Sequence, residues 1–169
     1  GLEAAAVASK LGLKVTLVEM AERILQRVAA PETADYFRDL HTRHGVDIRE
    51  GVGLGALTGT DGQVSAAELT DGSTLDVDFV IAGVGILPEI ELAEAAGLAI
   101  ENGIRTDRTG RTSAPNVWAA GDCASFPYRG AQLRLESVGN AIDQGECVAA
   151  NIMGRGVDYV PKPWFWSDQ

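Results

Sequence analysis

Cysteine is scarce in this chain: Cys123 and Cys147 are its only two, 24 positions apart. With no CxxC pair and no metal-ligand spacing, neither a redox disulfide nor a zinc site is indicated. Positive charge is also in short supply, with 14 Lys and Arg against 24 Asp and Glu, a net charge of −10 and a pI near 4.6. Neutralising a phosphate backbone needs clustered basic residues, so nucleic-acid binding is excluded. Any anionic ligand has to be held locally, by backbone donors and a few arginines. No apolar run approaches the roughly 20 residues of a membrane span, and no basic-then-apolar leader opens the chain. A non-membrane protein in a reduced, cytoplasmic setting is expected.

What is present is ordinary globular material. The 169 residues are 46% hydrophobic and 22% charged, enough for a respectable core. Gly1 leads straight into Leu2-Glu3-Ala4-Ala5-Ala6, a helix already under way, so the chain reads as an interior piece of a longer protein. Residues 2–11 form a helix of good formers stopped at Gly12, and Lys14–Glu19 (KVTLVE) a buried strand ending in an acid. From Pro31, suited to a first helical position, Tyr36, Phe37 and Leu40 keep helical spacing up to Gly45. His41, Arg43 and His44 crowd the last turn, where cations complement the helix dipole. A meander of short strands is expected over 47–50, 53–59, 63–70 and 74–76, with Asp61-Gly62 and Asp71-Gly72 as turns. Phe79–Ala82 reads as a further buried strand, followed by the loop Gly83-Val84-Gly85 and a short helix over 89–96. Asn116–Ala120 reads as a strand of small residues running into Gly121-Asp122. A long helix starts near Ser137 and runs to about Met153. The tail from Gly156, with its aromatic Trp164-Phe165-Trp166, differs in kind and reads as the start of another domain.

Several of these residues can carry chemistry. A helix opening at Gly1 and a strand ending in Glu19, 18 residues later, have the spacing of the second half of a dinucleotide-binding βαβ unit, in which the acid accepts ribose hydroxyls. Glu19 then favours NADH over NADPH, since a carboxylate repels a phosphate on that ribose. Arg23 is compatible with a 2′-phosphate, with covering an adenosine, or with solvent. Glu3 is either a favourable acid at a positive helix end or a carboxylate reaching a nicotinamide amide. In Val117–Cys123 (VWAAGDC), tiny residues ending in Gly121-Asp122 let a ligand approach the backbone while a carboxylate accepts hydroxyl hydrogen bonds, as a flavin's ribityl chain offers; a simple turn capped by Asp122 is the alternative. Glu136-Ser137-Val138 places a capping hydroxyl and free backbone N–H groups at the head of a long helix, where a reduced flavin ring would find stabilisation; Glu136 beside them is alternatively a plain surface acid.

The segments GLEAAAVASKLGLKVTLVE, DFVIAGVGILPEIELAEAAGL, TSAPNVWAAGDCA, ESVGNAIDQGECVAANI and PWFWSDQ, in this order, resemble the ferredoxin, rubredoxin and putidaredoxin reductase family. The likeness implies an α/β fold made of an incomplete Rossmann-like NAD-binding domain, the second half of a split FAD-binding domain of the glutathione-reductase-like flavoprotein type, and a meander of short antiparallel strands. It implies boundaries at 1–86 for the NAD(H) domain, 87–156 for the FAD-domain half and 157–169 for the start of a C-terminal interface domain. The implied cofactors are FAD and NAD(H). Gly1 would belong to the NADH fingerprint, Glu3 would lie near the nicotinamide, Glu19 at the adenosine ribose, and Gly83, Val84 and Gly85 on the loop under the nicotinamide cofactor. Gly121 and Asp122 would meet the FAD ribityl or pyrophosphate region, Val138 after Ser137 would offer its N–H to the flavin ring, Glu136 would help seat the nicotinamide, and Trp166 would cover the flavin. No side chain is needed as a nucleophile, and no metal site is implied.

The activity this implies is electron transfer from NADH through FAD to a ferredoxin- or rubredoxin-type iron–sulfur protein serving an oxygenase, with the chain alone expected to be inactive. A related NADH oxidase, disulfide reductase or nitrite reductase subunit, or an apoptosis-inducing-factor-like signalling flavoprotein, shares the same scaffold. An acidic partner would meet basic residues, for which Arg23, Arg27, Arg38 and Arg43 form the candidate grouping.

Overall fold

The computed structural model describes residues 1–164 and 166–168; Phe165 and Gln169, both within the PWFWSDQ segment, lie outside the described residues. The chain divides into two compact units, one of Gly1–Val84 with the residues from Ser167 onward, the other of Gly85–Trp166.

In the first unit, helix α1 (Leu2–Lys10) leads into strand β1 (Thr16–Glu19), helix α2 (Pro31–Arg43, with Pro31 in its first turn) and strand β2 (Asp47–Glu50). The two strands run parallel, from Thr16 beside Asp47 to Glu19 beside Glu50. Leu2, Ile24 and Ala34 are buried together, and Leu17, Leu25, Phe37 and Ile48 pack against them. This is an αβαβ unit whose apolar residues recur at the spacings that turn them toward one core. Strand β2, expected in the meander, pairs with β1 instead, because a helix of crossover length separates the two and makes parallel pairing possible. The meander proper is β3 (Leu54–Thr60), β4 (Gln63–Leu69) and β5 (Thr74–Asp76), all antiparallel. Its first turn has Asp61 and Gly62 both at positive φ, 53° and 77°, the hairpin geometry that Asp-Gly favours.

Two further expectations are corrected. Phe79–Ala82 forms no strand; Phe79 and Ile81 are 57% and 63% exposed, for this apolar run has no hydrogen-bonded neighbour among the described residues. Asn116–Ala120 is likewise not a strand: Trp118 makes only an isolated bridge to Arg111, and Asn116 turns the chain at positive φ. His41 and Arg43 stand in the last turn of α2, as expected, with His41 buried at 4% exposure.

The second unit holds a short helix α3 (Glu91–Ala95), strands β6 (Ile104–Arg105), β7 (Ala124–Tyr128) and β8 (Ala131–Leu133), and the long helix α4 (Val138–Ile152). Strand β7 lies between β6, which it meets in parallel, and β8, which it meets antiparallel. The β7–β8 hairpin turns at Arg129-Gly130, both at positive φ. No helix among the described residues is long and apolar enough to cross a membrane.

Helix α4 is the organising element, and its buried face is mostly polar. Asn140, Gln144 and Asn151 are 7%, 1% and 3% exposed, with Val148 among them. Asn151 donates to the carbonyls of Thr109 and Val157, each at 2.8 Å, and accepts from Val157 N at 2.6 Å. Asn140 donates to Leu135 O and accepts from the Tyr159 hydroxyl at 2.8 Å. Buried amides of this kind supply the backbone partners that irregular segments cannot find in a ladder.

Candidate functional site

The head of α4 and the Gly121-Asp122 turn converge. Ser137 caps the helix, its hydroxyl accepting from Asn140 N at 3.3 Å, while the N–H groups of the first turn have no intrahelical partner. Gly121 stands at φ 77°, and a Cβ there would meet Ala141 at 3.6 Å, so the turn lies directly on the helix. Gln144 fixes it there by accepting from Gly121 N at 2.8 Å. The result is an open cleft of about 590 Å³ lined by Asp122, Glu136, Ser137, Val138, Ala141 and Ile142.

Arg134 ties the two sides of this cleft. Its Nη1 donates to Asp122 O at 3.0 Å and to the Glu136 carboxylate at 2.6 Å, and its side chain is only 10% exposed. The Asp122 carboxylate is exposed at the rim. Trp164 packs against the first turn of α4, its Nε1 lying 3.7 Å from where a Gly139 Cβ would stand. Trp166 is stacked at a tilt on Trp164, with centroids 5.6 Å apart. Both tryptophans are 58% exposed, a flat apolar surface with room for a ring against it.

The remaining expected residues lie in the first unit, apart from Gly85, which opens the second. Glu3 sits in the first turn of α1, and its Oε1 accepts from the Ser167 hydroxyl at 2.7 Å and from Asp168 N at 3.1 Å. The Ser167 bond and then the Asp168 amide hold the Glu3 carboxyl below the usual carboxylate range. Gly83 passes close to the start of α1: a Cβ on it would lie 3.4 Å from Gly1 N. Val84 is 92% exposed. At the end of β1, Glu19 accepts from Ala21 N at 2.9 Å, which orients its carboxylate. Arg23 folds back to donate to Ala29 O at 2.9 Å, and its other terminal nitrogen, Nη1, is buried without a partner among the described residues.

The candidate basic grouping is not assembled as a free surface. Besides Arg23, Arg38 makes a bidentate pair with Glu50 at 2.8 Å and also bonds Asp35. Arg27 and Arg43 are exposed.

Residues 1–145 match the model of the pyridine nucleotide-disulphide oxidoreductase family. The chain belongs to that family. It is 46% identical to a ferredoxin–NAD(P)(+) reductase of Sphingomonas sp. and 42% identical to rhodocoxin reductase of Rhodococcus erythropolis, in each case over 100% of this chain and over 42% and 40% of the relative. Among solved structures, a ferredoxin reductase from Rhodopseudomonas palustris superposes with a TM-score of 0.95 at 44% identity, over 99% of this chain and 42% of that one. The putidaredoxin reductase of a covalent complex with putidaredoxin gives a TM-score of 0.94 at 42% identity, over 99% and 41%. The chain thus spans about two fifths of the length of the proteins it matches. Its α/β architecture is part of the Rossmann-like flavoprotein fold of this oxidoreductase family.

Sequence reasoning finds Asp122, Glu136, Ser137 and Val138 of the cleft lining but misses Arg134, Gln144 and Asn140, which hold it, and, in the first unit, Ser167, which bonds Glu3. A signal for the two amides is present, because 140, 144 and 151 occupy the spacing of a buried helical face.

Proposed function

We propose that this chain contributes residues to the flavin and nicotinamide sites of an NADH-dependent reductase that passes electrons through FAD to a ferredoxin- or rubredoxin-type iron–sulfur protein. One observation carries the reading: Asp122 lies a whole hairpin away in sequence from Glu136, Ser137 and Val138, yet all four line a single cleft at the head of α4. The names of the relatives, ferredoxin, rhodocoxin and putidaredoxin reductases, support it.

The residues present fit these cofactors. Gly121 brings bare backbone to the cleft wall, the exposed Asp122 carboxylate is an acceptor for hydroxyl donors, and the uncapped N–H of Val138 with the positive end of α4 stabilises negative charge on a ring carbonyl. Arg134 holds Glu136 in place beside the same spot. Trp166, seated on Trp164, offers a face that excludes water. In the first unit Glu19 accepts ribose hydroxyls and disfavours a 2′-phosphate, Arg23 keeps a donor with no partner among the described residues, and Glu3 accepts the nicotinamide carboxamide. When bound, the flavin supplies hydride acceptance and one-electron release, chemistry that no side chain here possesses. Residues 1–86 would serve NAD(H), 87–156 the flavin, and 157–169 would begin an interface domain; a cytoplasmic setting goes with this reading.

The test is to purify the flavin-loaded holoprotein and follow its flavin absorbance. NADH should bleach it, and an iron–sulfur protein should restore it at a rate that rises with the concentration of that protein. A colourless protein that neither takes up flavin nor oxidises NADH would end the proposal.

A further inference from the structure

The contact between Glu3 and the residues after Trp166 is unexplained by packing alone. Glu3 is a fully exposed carboxylate on the first turn of a nine-residue helix. Such a side chain ordinarily samples several rotamers, and ordering it on ligand binding costs entropy. Here two donors from 164 and 165 positions away converge on the same oxygen, Oε1. The other oxygen, Oε2, has no partner among the described residues. Hydrogen bonds to an ionised acceptor are the stronger kind, so one oxygen is anchored while the second is presented.

The backbone beside this carboxylate is bare. Neither Gly1 nor Gly83 carries a side chain, and the two backbones pass so closely that a Cβ on Gly83 would come 3.4 Å from Gly1 N. Val84 beyond them is open to solvent. An acceptor of fixed direction beside bare, exposed backbone suits a primary amide, whose N–H it can accept.

We propose that the Ser167 hydroxyl, with the Asp168 amide, presets the Glu3 carboxylate for the carboxamide N–H of the nicotinamide, making Ser167 a positioning residue in nicotinamide recognition. The inference rests on the proposed function and adds to it the residue that orients the acceptor. Preorganisation of this kind raises affinity by lowering the cost of ordering rather than by adding a ligand contact. It should therefore appear in binding and in KM, with little change in kcat.

The experiment is calorimetric titration of NAD+ into the flavin-loaded holoprotein, for wild type and for Ser167→Ala, Ser167→Thr, Glu3→Ala and Ser167→Ala with Glu3→Ala. A second ligand, 3-acetylpyridine adenine dinucleotide, replaces the carboxamide by a methyl ketone and has no N–H to donate. Ser167→Ala should weaken NAD+ by about fivefold to tenfold, the cost of ordering one carboxylate side chain on binding. Ser167→Thr, which keeps a hydroxyl, should stay within about twofold of wild type. Ser167→Ala should leave the methyl ketone analogue unchanged, and should cost nothing further once Glu3 is Ala. An equal loss for NAD+ and the analogue would make Ser167 merely structural and overturn the inference, as would unchanged NAD+ affinity in Ser167→Ala alongside a loss in Glu3→Ala. A holoprotein that binds flavin but no NAD+ would overturn the functional reading together with this one.

Discussion

The two units hold themselves together by different means. Around α2 the first unit buries Leu2, Ile24 and Ala34 with apolar neighbours from β1, β2 and the intervening loop, and its strands satisfy each other's backbone. Around α4 the second unit has three short strands and long irregular stretches, and the helix buries Asn140, Gln144 and Asn151 to meet the backbone groups those stretches leave over. The difference teaches that a site built on loops needs buried donors and acceptors where a site on strands needs only area. Apolar burial is forgiving of direction, whereas an amide works only if the loop's carbonyl or N–H stands within hydrogen-bonding distance.

That contrast can be broken by mutation. The largest effect is expected from Asn151→Ala, which orphans two carbonyls and one N–H at once; at about 1 to 3 kcal/mol for each group, the loss should total about 4 kcal/mol in urea unfolding of the holoprotein. Ile24→Ala in the apolar core should cost about 3 kcal/mol by the same measurement, through lost transfer energy and a cavity. If Ile24→Ala proved the costlier, the second unit would not depend on its amides as described. Next comes Glu50→Gln, which breaks the bidentate pair with Arg38 and weakens the bond from Ile24 N; about 2 kcal/mol is expected near neutral pH.

The pH dependence of that third effect has a definite sign. Arg38, then the Ile24 amide, hold the Glu50 carboxyl below its ordinary value. A group lowered on folding contributes stability that is present above its unfolded pKa, about 4.3, and is lost as pH falls through the folded value. The gap between wild type and Glu50→Gln, followed by urea unfolding from pH 7 to pH 3, should therefore narrow on the acid side. The smallest effect should be a gain: Gly145 lies within α4 with nothing within 4 Å of a built Cβ, so Gly145→Ala should raise stability by about 0.5 to 1 kcal/mol. No change, or a loss, would show that the exposed side of α4 is covered.

Much of the first unit is legible in the sequence alone, because its periodicities are local. Pro31 marks the start of α2 and Glu19 the end of β1, and Asp61-Gly62 makes its hairpin by the conformations those two residues tolerate. The failures share a cause. Phe79–Ala82 has the composition of a buried strand, yet a strand exists only when another lies alongside, and composition does not report neighbours. Asn116–Ala120 fails for the same reason. The β7–β8 hairpin is hard to read although Arg129-Gly130 is a two-residue turn, because neither of its strands alternates strongly.

In the candidate site, residue types suited to touching ligands are legible and those that position them are not. Asp122, Glu136 and Ser137-Val138 stand out because a carboxylate after tiny residues, or a hydroxyl before a long helix, suits few other purposes. Arg134, Gln144 and Ser167 act through pairings with residues 12, 23 and 164 positions away, and nothing local distinguishes them from surface polar residues.

By itself, then, the sequence determined the helices, the glycine-marked turns, the acidic charge and the resemblance that led to the oxidoreductase family, since each depends on neighbours along the chain or on motif order. Only the tertiary structure decided that β2 pairs with β1, that α4 buries amides, that Asp122 and Glu136 share one arginine, and that Ser167 meets Glu3. Those are contacts between distant residues, set by which surfaces exclude water together and which polar groups must then find each other, and no local pattern encodes a partner's position.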